Sequence, residues 1–196
     1  MKEICLITSN RGKVLSLQKA LDSFGIEVNV NVQNLELTEP QFDTVKEVSA
    51  YKAKEAYTRL KRPVLVEDGG FAVEALNGFP GVYTKFVLNT IGAVGILKLL
   101  AGESNRRARF ISCASYIDED GWLFQFERPV EEGEVEIADQ MHVVDSPYAW
   151  SELWKIAYLP TFGKMMCDLS SEEVNALYRT GKGSLWVFAR WYAGQK

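Results

Sequence analysis

The run Val64-Leu65-Val66-Glu67-Asp68-Gly69-Gly70 constrains this chain more than any other. Three apolar, strand-forming residues without a polar interruption suit a strand covered on both faces, because a half-exposed strand would alternate. Two carboxylates follow at once, then two glycines. A buried strand that ends in acids holds them in place, and glycine lets a ligand approach the backbone closely. Glu67 and Asp68 are therefore candidates to hold a divalent cation and a water. A plain acidic turn after a strand is the alternative.

A second apolar strand opens the chain. Ile4, Cys5, Leu6 and Ile7 lead into Thr8-Ser9-Asn10-Arg11-Gly12-Lys13, after which Val14, Leu17, Leu21 and Phe24 recur at helical spacing. The polar loop thus sits at a helix N-terminus, where unpaired amides bind anions. Thr8, Ser9 and Asn10 add short hydrogen-bonding side chains, and Lys13 adds a point charge suited to a phosphate oxygen. The whole run, Arg11 and Gly12 included, is a candidate substrate-binding loop. It lacks the glycine spacing and Lys-Ser/Thr pair of a Walker loop, and on its own an Asn or Ser here is an N-cap.

A third segment reads as a helix over 44–60, with Val45, Val48, Ala56 and Leu60 on an apolar stripe and Glu47 and Lys52 near one another on its polar side. Such charges are ordinarily a solvated face. Upstream, Pro40 stiffens a turn from which Glu39 can project as a further metal-seeking carboxylate.

Taken together, Thr8 to Lys13, Glu47 ahead of Lys52, and the run from Val66 to Tyr83 resemble the inosine triphosphate pyrophosphatases, or Ham1 family. The likeness continues through Thr90-Ile91-Gly92, Gly95 to Leu100 and Arg107 to Ser112. It implies an α/β fold with a long, mixed, twisted sheet flanked by helices, in which residues 1–196 form one domain of two lobes with a central cleft, commonly as a homodimer. It also implies Mg2+-dependent cleavage of an ITP- or XTP-like nucleoside triphosphate between the α and β phosphates. By position, Thr8, Asn10 and Lys13 would grip phosphates and Lys52 would join them. Asp68 would bind metal and activate water, Glu39 would be a second ligand, and Glu67 would orient the site or bind metal through water. Gly69 stands where many relatives carry Ser.

The resemblance weakens where the family handles the base. Its Gly-Phe-Gly-Tyr/Trp-Asp-Pro segment falls on Ser151 to Ile156, where only Trp154 is alike and Lys155 reverses the charge of the family's Asp. Its Ser-His-Arg falls on Tyr178-Arg179-Thr180, and a preceding lysine is Val174. A site that reads a keto purine needs matching donors and acceptors, so these exchanges forfeit discrimination unless the pocket is rebuilt. Tyr148, Trp150, Trp154, Lys155, Tyr178, Arg179 and Lys182 are candidates for a pocket that takes another, modified base. Aromatic filling of the second lobe is the competing reading.

With 196 residues, 47% of them hydrophobic, the chain can bury a substantial core. A net charge of −4 argues against a nucleic-acid scaffold, while a few local lysines suffice for a triphosphate. Cys5, Cys113 and Cys167 are far apart and make no zinc pattern, which suggests buried thiols in a reducing cytoplasm. A single histidine, His142, leaves no room for a Ser-His-Asp hydrolase or a His-metal cluster. The chain begins on a strand rather than a signal peptide, and no apolar run approaches the ~18 residues of a membrane span.

The remaining elements read as strand 3–7, helix 12–24, strand 26–32, strands 64–67 and 71–76, helices 81–90 and 92–101, and strands 107–118 and 121–128 joined by Asp118-Glu119-Asp120-Gly121. A strand at 134–137, a helix start at Ser170 and a last helix at 184–193 complete the order. All five tryptophans fall between Trp122 and Trp191 while the phosphate motifs fall in the first 70 residues, a split expected to match the two lobes. Two other classes of function are open: a nucleotide-binding regulatory module that has lost turnover, and a partner protein docking through an exposed aromatic C-terminal face.

Overall fold

The computed structural model describes residues 3–143, 151–179 and 183–195. Strand β1 (Glu3–Ile7) pairs in parallel with both β2 (Asn29–Gln33) and β3 (Val64–Val73), so it lies inside the sheet and needs cover on both faces. Its alternation supplies that. Ile4 and Leu6 pack in a cluster with Leu17 and Leu21 of α1 (Arg11–Ser23) and with Leu185, Trp186 and Phe188 of α6 (Ser184–Ala193). Cys5 and Ile7 turn the other way, against Ala53 and Ala56 of α2 (Val45–Leu60). Strand β3 is sorted by the same rule: Leu65 joins the α1/α6 face, and Val64 and Val66 join the α2 face. Continuous apolar runs are what a strand sandwiched between two helical layers requires.

Nine strands make one mixed sheet among the described residues, in the order β2-β1-β3-β5-β7-β8-β9, with β4 on β3 and β6 on β5. The further strands are β4 (Pro80–Gly81), β5 (Arg107–Ile117), β6 (Leu123–Glu127), β7 (Glu134–Ile137), β8 (Ala157–Leu159) and β9 (Lys164–Met165). The β5–β6 hairpin forms where expected, its turn held by the Asp118 carboxylate, which accepts from the amides of Asp120 and Trp122 at 3.0 and 2.8 Å.

By its contacts the chain divides into two units, one built from the described residues of 1–69, 112–129 and 178–196, the other from 70–111 and 130–177. The first contains β1, α1, β2, α2, β6 and α6, with the beginning of β3 and the end of β5. The second contains α3 (Thr84–Thr90), α4 (Gly92–Leu99) and strands β4, β7, β8 and β9, with most of α5 (Ser171–Arg179). Helix α5 starts on a reciprocal cap in which the amides of Glu173 and Ser170 each donate to the other's side chain.

Several expectations need correction. The tryptophans do not follow the units: Trp122, Trp186 and Trp191 belong to the unit that contains Thr8 to Lys13, and Trp154 belongs to the second unit. The broad apolar face of α6 is core, with Leu185, Trp186 and Phe188 all buried. The glycine pair is not a turn between two strands, since β3 runs straight through Gly69 and Gly70 to Val73. Extended backbone persists because β4 pairs alongside, Phe71 opposite Gly81, and a Cβ on Gly70 would come within 2.2 Å of the Gly81 carbonyl oxygen. Strand β2 begins three residues later than read, α3 starts only at Thr84, and the short strands β8 and β9 carried too few residues to show a period.

Candidate active site

The loop from Thr8 to Asn10 is shaped by its own side chains. The Thr8 amide donates to the Gln33 carbonyl at 2.9 Å, tying the end of β1 to the end of β2. Thr8 Oγ1 accepts from the Asn10 amide at 3.0 Å, and Asn10 Oδ1 accepts from the Gly12 amide at 2.8 Å, so Asn10 is the N-cap of α1. The cap reading and the anion-site reading are compatible, because a cap satisfies one of several amides and leaves the end of the helix positive. Ser9 and Arg11 are exposed and Gly12 is buried.

One turn into α1, Lys13 reaches back to β3. Its Nζ donates to the Glu67 carbonyl at 2.5 Å, the oxygen of the peptide that joins Glu67 to Asp68, and stands 3.8 Å from Glu67 Oε2. The N-terminal lysine therefore stands beside Glu67.

The two adjacent acids, however, serve different faces. Because β3 stays extended, Glu67 follows Leu65 toward α1 and α6, while Asp68 follows Val66 toward α2. Asp68 Oδ1 accepts from Lys52 Nζ at 2.7 Å, and the same ammonium lies 2.6 Å from Glu39 Oε2. Glu39 is delivered by a segment pinned to α2: the Thr38 amide donates to Glu55 at 2.9 Å, and Arg59 donates to the Glu36 carbonyl at 2.7 Å. Lys52 is buried to 9% exposure. Burial alone pulls its ammonium toward the neutral form, but Asp68 beside it and then Glu39 outweigh that and hold its pKa above the usual lysine range. Glu47, expected beside Lys52, instead closes a capping box with Thr44 at the start of α2.

Asp68 and Glu39 thus already converge on one cation, the Lys52 ammonium. Mg2+ characteristically takes one or two carboxylates plus phosphate and water oxygens, so this pair of hard donors fits it. Among the described residues no three acidic, His or Cys side chains cluster, and substrate and water would have to complete the shell.

Glu67 is committed elsewhere. Its Oε1 accepts from Ser184 Oγ at 2.5 Å, and Ser184 lies 2.9 Å from Ser112 Oγ. Sequence reasoning missed both serines. Ser184 opens α6 and was readable only as a helix start, because nothing local links it to a residue 117 positions away.

The base-side candidates belong to the second unit or lie outside the described side chains. Trp154 is buried and Lys155 partly exposed, both in a single helical turn over Glu152–Lys155. Arg179 ends α5 but its side chain and that of Tyr178 lie outside the described residues, as do Tyr148, Trp150 and Lys182. All three cysteines are buried free thiols. No helix of the described residues is long and apolar enough to cross a membrane.

The Ham1 family pattern matches residues 4–176. The chain is 36% identical over 191 residues to the dITP/XTP pyrophosphatase of Thermococcus kodakarensis, covering 96% of each chain. It is 44% identical over 119 residues to that of Methanopyrus kandleri, an alignment spanning 61% of this chain and 62% of the relative. Among solved structures, a Ham1 protein from Coxiella burnetii superposes with a TM-score of 0.81 over 99% of this chain and 100% of that one, at 22% identity, a likeness of fold. Matched over nearly its whole length in sequence and in fold, this protein belongs to the Ham1 family.

Proposed function

We infer that this chain is a nucleoside triphosphate pyrophosphatase that hydrolyses the bond between the α and β phosphates of a dITP- or XTP-like nucleotide to the monophosphate and pyrophosphate. The observation that carries this reading is the convergence of Asp68 and Glu39 on one cationic position, with Lys13 at the adjoining Glu67 carbonyl. It is supported by the similarity to relatives named dITP/XTP pyrophosphatases.

In this reading the N-terminus of α1, with Thr8, Ser9, Asn10, Arg11 and Gly12, receives the phosphate tail, and Lys13 balances its charge. Lys52, already charged and buried, turns from its carboxylates toward a phosphate oxygen as the substrate arrives. Asp68 accepts the proton of the attacking water. Mg2+ bound at Asp68 and Glu39 would neutralise phosphate charge and so ease attack on phosphorus. Gly69, exposed at the edge of this locality, leaves room for the tail rather than a hydroxyl contact. Trp154, Lys155 and Arg179 are assigned to the base side of that nucleotide.

Purified protein incubated with Mg2+ and a panel of triphosphates, with pyrophosphate and orthophosphate measured separately, tests the assignment. Pyrophosphate release from ITP, dITP or XTP is expected. Orthophosphate alone would mean that a different bond is cut. Asp68→Asn keeps the shape of the side chain and leaves Lys52 near Glu39, so it should still fold, with a lowered Tm, and lose about 10²- to 10⁴-fold in kcat. A rate equal to wild type would remove Asp68 as the base.

A further inference from the structure

Glu67 sits in a directed hydrogen-bond chain that the proposed chemistry does not use. A serine hydroxyl has one proton. That of Ser184 is given to Glu67 Oε1 at 2.5 Å, so in the 2.9 Å contact between Ser112 and Ser184 the donor has to be Ser112. The chain runs in one direction, from Ser112 on β5 through Ser184 at the head of α6 to the carboxylate on β3. Ser184 is fully buried, at 0% exposure, and the Glu67 side chain keeps only 12% of its surface. Donors arranged head to tail polarise one another, which strengthens the last link, and the positive end of α6 favours a carboxylate there.

What this holds in place is the spacing between Glu67 and Lys13. The Lys13 ammonium already bonds the Glu67 carbonyl, yet it stands 3.8 Å from Oε2, too far for a hydrogen bond. We propose that Ser184, backed by Ser112, is a positioning residue that fixes the Glu67 carboxylate short of a closed ion pair and so keeps the Lys13 ammonium available to a phosphate. Without the Ser184 hydroxyl, the carboxylate loses its fixed donor and closes on the Lys13 ammonium 3.8 Å away. A lysine bonded through both the carbonyl and the carboxylate of Glu67 would have to be released before it could take a phosphate. The inference rests on the pyrophosphatase reading and deepens it, adding a residue that acts through two others.

The test compares wild type with Ser184→Ala, Ser184→Thr, Ser112→Ala, Glu67→Gln and the Ser184→Ala/Glu67→Gln double variant. Steady-state pyrophosphate release is measured on the best triphosphate, and each variant's Tm is recorded. Loss of a hydrogen bond to a charged group predicts a KM for Ser184→Ala raised about 10- to 100-fold, with kcat within about 3-fold, because the Lys13 grip is shared by ground and transition states. Ser184→Thr keeps the hydroxyl and should restore KM. Ser112→Ala should raise KM in the same direction by less. Adding Ser184→Ala to Glu67→Gln should change little, since a neutral amide does not close on Lys13.

A lowered Tm with wild-type KM would reduce Ser184 to a structural residue. An equal KM penalty with and without Glu67→Gln would break the proposed chain of action. Should Ser184→Ala not fold, Ser112→Ala carries the same criterion, and a wild-type KM there overturns the proposal. If wild type itself releases no pyrophosphate, the functional reading fails first, and that outcome is distinct from any of these.

Discussion

Replacing Lys52 with Met tests whether one ammonium serves as counter-ion to both carboxylates. The substitution keeps the length and apolar stem of the side chain and deletes only the charge. At 2.7 Å from Asp68, the Coulomb attraction is about 6 kcal/mol at an effective dielectric of ~20. Burial of an ammonium that is 9% exposed as a residue offsets part of this. Glu39 keeps 59% of its side-chain surface, so screening leaves that second pair at about 0–1 kcal/mol. Breaking a buried pair from one side costs about 3–5 kcal/mol, and the residual solvent at Asp68 brings the expectation to the lower end, about 3 kcal/mol. For a chain of this size that lowers Tm by roughly 6–12 °C. The sign with pH follows from a raised lysine pKa: the contribution is whole at neutral pH and is lost only as pH rises through the elevated value of the folded protein. Without Lys52 the two acids repel until a cation arrives. Mg2+ at a hundredfold excess over its Kd would then return about 2.7 kcal/mol, more than wild type gains, where the ion has to displace the ammonium. Scanning calorimetry of both proteins, with EDTA and with Mg2+, reads both effects. A Tm loss below about 2 °C in EDTA, or a Mg2+ response no larger than that of wild type, would refute the reasoning.

Three further outcomes are expected. Gly70→Ala places a Cβ 2.2 Å from the Gly81 carbonyl oxygen, a backbone atom that cannot swing aside, so chemical denaturation should show a loss of about 2 kcal/mol or more; unchanged stability would mean that β4 does not pair as described. The Tyr116 hydroxyl is pushed up to about 12, first by burial and then by Tyr192, Asp118 and Glu119, so ultraviolet titration should find a phenol still protonated well above pH 10, and stability should fall as pH rises from the ordinary tyrosine value toward 12. Lys155→Ala and Arg179→Ala should each alter the ranking of ITP, XTP and canonical triphosphates in kcat/KM; an unaltered ranking would remove both residues from the base side.

Much of the site was legible because its parts are local. The cap of α1 follows from Asn10 before a helical apolar period, and the acids at the end of a continuous apolar run follow from a strand between two helical layers. The motif order then named Lys13, Lys52 and Asp68. What stayed hidden depended on partners remote in sequence. Glu47 looked like a companion of Lys52 because helical spacing says which residues are near, and not that Thr44 would take its carboxylate for a cap. The base-side segments were doubtful for a similar reason: a buried Trp154 reads identically in sequence whether it stacks on a ligand or fills a core.

The amino-acid order alone determined that β1 and β3 are buried strands, that a polar loop precedes α1, and that two carboxylates stand next to each other after Val66. The tertiary structure decided which way each of those acids looks. Extension of β3 through Gly69 and Gly70 is imposed by β4 alongside, and a pleated strand sends neighbours to opposite faces. Asp68 therefore meets Lys52 and Glu39, whereas Glu67 meets Lys13 and a serine 117 positions away. Adjacency along the chain is a covalent fact; a shared site is a fact of packing, fixed only when the surrounding strands and helices have taken their places.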